Sequence, residues 1–208
     1  MKNILCFGDS NTWGYEPLVA RRYPADVRWT GVLQDSLGDG FRVIEEGPNG
    51  RTNMTNEEER PIRSGLDVLP VLLESHRPLD LVVIMLGTND LKHDFDLSAE
   101  QIADGARQVC QSVIDCEYLM DDPPQILLIS PTHVELVTVE EQDIFIGAIA
   151  KSHELAEHYQ AVADNLGIHF LDASKIVVKT DLDGVHWDAD QHHKFGEELS
   201  ARIRQNYL

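Results

Sequence analysis

Four short strings carry the groups an acyl transfer would need: Gly8-Asp9-Ser10-Asn11, Gly47-Pro48-Asn49-Gly50, Gly87-Thr88-Asn89-Asp90 and Asp183-Gly184-Val185-His186. A serine hydroxyl attacks a carbonyl poorly at neutral pH unless a base takes its proton, and an imidazole is suited to that. Ser10 and His186 are therefore the candidate nucleophile and base. The imidazolium formed during attack needs its second nitrogen held, and Asp183, three residues upstream, can hold it within one turn. Asp181 and Asp188 are also near in sequence and rank below Asp183. Negative charge on the carbonyl oxygen calls for preorganised N–H donors. The backbone amides of Ser10 and Gly50 and the side chain of Asn89 are the candidates, with Gly47 as the fallback for the second amide.

Other residues near these strings have plainer readings. Asp9 can brace the loop by accepting backbone N–H bonds. Arg51 reads as a structural salt link. Asn11, Trp13 and Trp187 flank the candidate groups and are possible pocket walls, with core packing an equally open reading for the two tryptophans. His153 and His158 lie five apart, not the four that would put two metal ligands on one helix face, so no metal site is expected there. His192 and His193 are adjacent and diverge on a helix, which suits packing or solvation.

The elements that must position these groups are legible as alternating strands and helices. Apolar runs at Asn3–Phe7, Arg42–Glu46, Leu81–Leu86, Gln125–Ser130 and Ile168–Leu171 predict strands, and several are almost continuously hydrophobic, as in a parallel sheet buried on both faces. Helical periodicity covers Val27–Leu37 and Glu141–Leu166, the latter stopped by Gly167. Ser98 with Gln101 and Asp188 with Gln191 are capping-box signatures that open two further helices. The alternation predicts an α/β fold, a three-layer α/β/α sandwich around a five-stranded parallel sheet of flavodoxin-like order 2-1-3-4-5. In such sheets ligands bind beyond the carboxyl ends of the strands, and each chemical string directly follows a strand or, for Asp183–His186, comes after the fifth. The loops at 8–26, 47–61 and 131–140 are the functional candidates.

The chain has 208 residues and a net charge of -19, from 17 Lys and Arg against 36 Asp and Glu. That size fits one domain over residues 1–208, and the charge argues against nucleic acid and anionic membrane surfaces as partners. Cys6, Cys110 and Cys116 show no metal spacing and read as buried free thiols. The short apolar start does not resemble a signal peptide, and no run reaches the length of a membrane span, so a cytoplasmic location is expected.

Taken together, Gly8-Asp9-Ser10, Gly50, Gly87-x-Asn89 and Asp183-x-x-His186 resemble the four blocks of the SGNH (GDSL-like) hydrolase family. The strings Asp26–Leu33, Glu45-Glu46-Gly47 and Pro78–Asp90 resemble its bacterial arylesterase and acyltransferase subgroup. The resemblance implies ester chemistry without a metal or cofactor, small-molecule esters, often acetyl esters, as substrates, acyl transfer to alcohols as an accompanying activity, and a homo-oligomer that narrows the entrance. One departure is Asn11, where the commonest family signature has leucine. A carbohydrate deacetylase or thioesterase would use the same groups. From another class, a flavodoxin-like module binding flavin or nucleotide would use the same rim, although no Gly-x-Gly-x-x-Gly or Walker-type loop supports it.

Overall fold

The computed structural model describes residues 1–57, 60–116, 123–135, 138–178 and 182–207. Five parallel strands form the main sheet: β1 (Lys2–Gly8), β4 (Phe41–Glu46), β5 (Leu81–Met85), β6 (Gln125–Ser130) and β7 (His169–Asp172), arranged β4-β1-β5-β6-β7. This is the predicted 2-1-3-4-5 order, with boundaries within a residue of those read from the sequence. A short antiparallel hairpin, β2 (Tyr15–Glu16) with β3 (Arg21–Arg22), projects after the first strand.

Alternation along the strands explains the continuous apolar runs. Leu5, Phe7, Val82, Ile84, Ile126 and Leu128 face one core, while Ile4, Cys6, Leu81, Val83, Met85, Leu127 and Ile129 face the other. Both faces of the inner strands are buried, so the polar half of the usual strand alternation is missing there. Helices α3 (Gly65–His76), α4 (Ala99–Asp115) and α6 (Ala148–Leu166) cover the first face; α2 (Trp29–Leu37) and α7 (Ala189–Arg202) cover the second. Both predicted capping boxes are present, at Ser98–Gln101 and Asp188–Gln191. Phe195, Leu199 and Ile203 are fully buried on one side of the last helix, as their spacing requires.

Two features depart from the sequence reading. The expected helix over 141–166 is two helices, α5 (Val139–Ile144) and α6, because Gly147 takes a left-handed conformation with φ 76° and interrupts the ladder. Ile149, expected on its buried stripe, is exposed. Helix α3 had no sequence signature: apolar residues occupy more than one of its faces, and Pro70 inside it removes a donor. It is held instead by a Ser64 cap, whose side chain accepts from the Asp67 N–H, and by fully buried Leu69 and Leu73.

Register aligns the strand ends on one rim. Gly8 pairs with Met85 and Phe7 with Glu46, so the residues that follow β1, β4 and β5 emerge side by side.

Candidate active site

Ser10 opens a four-residue helical turn, α1 (Ser10–Trp13), one residue beyond the end of β1. The turn is bound to its own start: the Thr12 and Trp13 N–H groups donate to the Asp9 carbonyl, and the Asp9 carboxylate accepts from the Asn11 N–H at 3.0 Å. Asp9 thus braces the loop, as expected. Burial, eased by that N–H and by the charges of His186 and Arg51, raises its pKa to about 6.

His186 comes to Ser10 from the far end of the chain. Its Nε2 lies 3.0 Å from Ser10 Oγ, and its Nδ1 lies 2.6 Å from Asp183 Oδ2. The other carboxylate oxygen of Asp183 accepts from the backbone N–H groups of Val185 and His186 at 2.9 and 2.8 Å, so the carboxylate is fixed by its own turn. Burial works against the charged form of Asp183, yet the hydrogen bonds from the His186 side chain and from the two backbone amides outweigh it and hold its pKa below the ordinary carboxylate range. Asp188 is engaged elsewhere, capping α7 through the Gln191 N–H. Asp181 lies outside the described residues.

The candidate donors converge on the same place. Gly50 and Asn89 line the cleft with Ser10 and His186, and one N–H of the Asn89 amide donates to the Arg51 carbonyl at 3.1 Å, fixing the group's direction while leaving its second N–H available. Gly50 sits at φ 82°, which a side chain would strain. Gly87 is at φ 123°, and a Cβ there would come within 2.3 Å of the Tyr159 hydroxyl, which donates to the Leu86 carbonyl beneath the Asn89 loop. Gly47 packs under α1 against the Asp9 carbonyl and does not line the cleft. Asp90, next to Asn89, accepts the Asn53 N–H in the interior, and burial raises its pKa to about 7.

The three flanking residues stand outside the lining of the cleft. Asn11 is buried behind the cleft, where its amide donates to the Val185 carbonyl at 3.2 Å and accepts the Trp187 N–H at 3.0 Å. It therefore ties the Ser10 turn to the loop that carries His186. Trp187 is fully buried, its indole N–H on Thr132 and its ring against Phe195. Trp13 is half-buried with the Arg22 guanidinium over its ring. Neither tryptophan lines the cleft. Replacing Asn11 by Ala strands a buried carbonyl and a buried N–H, each worth roughly 1–3 kcal/mol. The expected result is a loss of about 2–4 kcal/mol in urea denaturation together with a fall in kcat; unchanged stability would show that the tether carries no load.

Arg51 is structural but not through a salt link: its guanidinium donates to the carbonyls of Gly8 and Glu46 and stacks on Phe7. Chiefly through burial, its pKa falls to about 10. His192 is fully buried, accepting the Trp29 N–H, and burial lowers its pKa to about 3, whereas His193 is exposed beside Glu197. His153 packs on the His133 ring, and among the described residues no group of three or more His, Cys, Asp or Glu side chains could hold a metal. The three cysteines are buried and free.

The cleft, of roughly 230 Å³, also gathers residues the sequence did not single out. Tyr15, from the hairpin, packs its ring 4.4 Å from that of His186. Ile144, Phe145 and Val185 form an apolar wall, and Asn49, Arg60 and Lys92 a polar one. The Oδ1 atom of Asn49 is buried and without a partner among the described residues. Gly147 is the sequence signal for the break after Ile144, the last residue of α5, at which Phe145 turns toward the site.

A flavodoxin-like sheet of this order, with a hydroxyl, an imidazole and a carboxylate in line at one rim, defines a serine hydrolase on a three-layer α/β/α sandwich. The family model for GDSL-like lipases and acylhydrolases matches residues 6–194, and the chain belongs to that family. An aryl esterase from M. smegmatis is 37% identical over the full length of both chains, with a TM-score of 0.95. Est24, a carbohydrate acetylesterase from Sinorhizobium meliloti, is 34% identical over 98% of this chain and 99% of its own, with a TM-score of 0.93. A carbohydrate acetylesterase family member from the same organism is 36% identical over 98% of both, with a TM-score of 0.92. A comparison with curated protein sequences finds no match. The chain is thus an ester-hydrolysing serine hydrolase acting on small-molecule esters. Among the described residues no helix is long and apolar enough to cross a membrane.

Proposed function

We propose that the protein hydrolyses small aryl or acetyl esters through an acyl-enzyme on Ser10, within one catalytic domain spanning residues 1–208. The observation that carries this reading is the continuous line from Ser10 Oγ to His186 Nε2 at 3.0 Å and from His186 Nδ1 to Asp183 at 2.6 Å. As Ser10 Oγ bonds to the ester carbon, its proton passes to His186 Nε2, and Asp183 stabilises the imidazolium. The developing oxyanion takes N–H bonds from Ser10, Gly50 and Asn89. Collapse expels the alcohol with the proton from His186, and water, activated by the same imidazole, returns the carboxylic acid. An alcohol in place of water yields a new ester, and the apolar wall of Ile144, Phe145 and Val185 favours such an acceptor. A homo-oligomer fits the exposed Val139, Ile146 and Ile149 near the cleft, and free buried thiols fit a cytoplasmic setting.

A carbohydrate ester is the second reading. Its support is the unpartnered Asn49 Oδ1, which a substrate hydroxyl could satisfy, and the carbohydrate acetylesterases among the similar structures. The test of the common mechanism is labelling with a fluorophosphonate followed by peptide mass mapping. A single adduct on Ser10 is expected; an adduct elsewhere with Ser10 unmodified refutes the assignment.

A further inference from the structure

Among 208 residues with 36 carboxylates and only 17 lysines and arginines, the described lining of this cleft holds two cations, Arg60 and Lys92, and no carboxylate. A random patch of this surface would show the reverse balance. Both cations contact one anion, Glu57: Arg60 Nε lies 2.7 Å from Glu57 Oε2, and Lys92 Nζ bonds to Glu57 Oε1. Burial alone would raise the Glu57 pKa, but the hydrogen bonds from Arg60 and Lys92 hold it below its ordinary value, so the carboxylate is ionised. Among the described residues, one negative charge between two positive ones leaves a surplus of a single positive charge on this wall.

The orientation of Arg60 gives that surplus a direction. With Nε turned to Glu57, the paired terminal nitrogens of the guanidinium lie over Gly50: a Cβ built there would stand 2.8 Å from Nη1 and 2.9 Å from Nη2. Among the described residues neither terminal nitrogen meets an acceptor. The free fork thus faces the turn whose amide is proposed to receive the oxyanion. A guanidinium fork matches a carboxylate in geometry as well as charge.

We propose that Arg60, supported by Lys92, is a specificity-determining residue that binds a carboxylate borne by the substrate, so that the preferred esters are anionic ones with the charge a few bonds from the scissile carbonyl. This rests on the esterase reading of the same site and adds the substrate's charge to it. Glu57 sets the strength of the effect by holding Arg60 in place and offsetting half of the positive charge.

The test compares matched ester pairs that differ in one charge. On the acyl side, para-nitrophenyl hydrogen glutarate is compared with para-nitrophenyl pentanoate; on the alcohol side, meta-acetoxybenzoate with its methyl ester. Each kcat/KM is corrected for spontaneous hydrolysis. The wild-type anionic-to-neutral ratio is expected to exceed one in at least one pair, and the favoured pair tells which portion of the substrate carries the charge. In that pair Arg60→Gln should lower the ratio roughly tenfold, the scale of one charge-assisted hydrogen bond. Glu57→Gln should move it the opposite way, upward by a few fold, and added salt should shrink it. Because each ratio is internal to one preparation, partial misfolding cancels. Ratios below one in both pairs, or ratios that neither substitution changes while neutral esters are still turned over, overturn the anion site and leave the esterase reading intact. No turnover of any ester overturns both.

Discussion

Substituting Ser10 by Ala is expected to lower kcat on an aryl acetate roughly a millionfold, about 8 kcal/mol of lost transition-state stabilisation. In the proposed mechanism Ser10 Oγ bonds to the acyl carbon, and it lies 3.0 Å from His186 Nε2. The cleft walls do not depend on that oxygen, so KM should change little, which separates loss of chemistry from loss of binding. What remains in the variant is the rate that positioned N–H donors and the imidazole give to water attack, still roughly a thousandfold above the uncatalysed reaction. Pre-steady-state kinetics provide a second readout: where deacylation limits turnover, the wild type releases a burst of phenol as the acyl-enzyme accumulates, and the variant releases none. Turnover in Ser10→Ala above about one percent of wild type would remove Ser10 from the mechanism, since neither contamination nor the residual pathway reaches that level.

The fold was readable because two kinds of local pattern agree with it. Runs such as Leu81–Met85 are apolar throughout, since both faces of the sheet are covered, and this leaves a stronger mark than alternation would. Caps such as Ser98–Gln101 are local by nature and survive intact in the structure. The groups brought together at the rim were readable for a related reason. Parallel strands deliver the residues that follow them to one edge, so Gly8-Asp9-Ser10 and Gly87-x-Asn89 needed no long-range geometry to be paired. The rest of the cleft depends on loop paths, which no periodicity encodes. Arg60 reaches Gly50 from ten positions further along the chain, Tyr15 reaches His186 through a two-residue strand, and Phe145 arrives from a break between helices. Trp187 was open to two readings, pocket wall or core packing, and its side chain goes into the core, where the indole buries more apolar surface than a cleft allows. Asn11 was equally ambiguous, because its amide could only be seen to join two loops once both partners, 174 and 176 residues away, were in place.

Asp183→Asn tests the orientation of the imidazole, and a loss of about 10⁴-fold in kcat is expected. In the wild type, Asp183 Oδ2 faces Nδ1 and Oδ1 is held by the Val185 and His186 N–H groups. An asparagine would keep its carbonyl oxygen on those two amides and turn its NH₂ toward Nδ1. The ring would then accept at Nδ1 and carry its proton on Nε2, pointing a hydrogen at Ser10 Oγ where a lone pair is needed. The geometry survives and the base does not, so kcat falls with KM nearly unchanged. Stability supplies an independent sign. The folded pKa of Asp183 lies below that of an ordinary carboxylate, so its ionised form stabilises the native state above the ordinary value, and the contribution disappears as pH falls through the folded one. The stability difference between wild type and Asp183→Asn should therefore be largest near neutrality and shrink below about pH 4. A difference that persists unchanged at pH 2 would mean that the carboxylate's charge is not what the His186 turn is built around, and a kcat within tenfold of wild type would mean that the imidazole is oriented by something else.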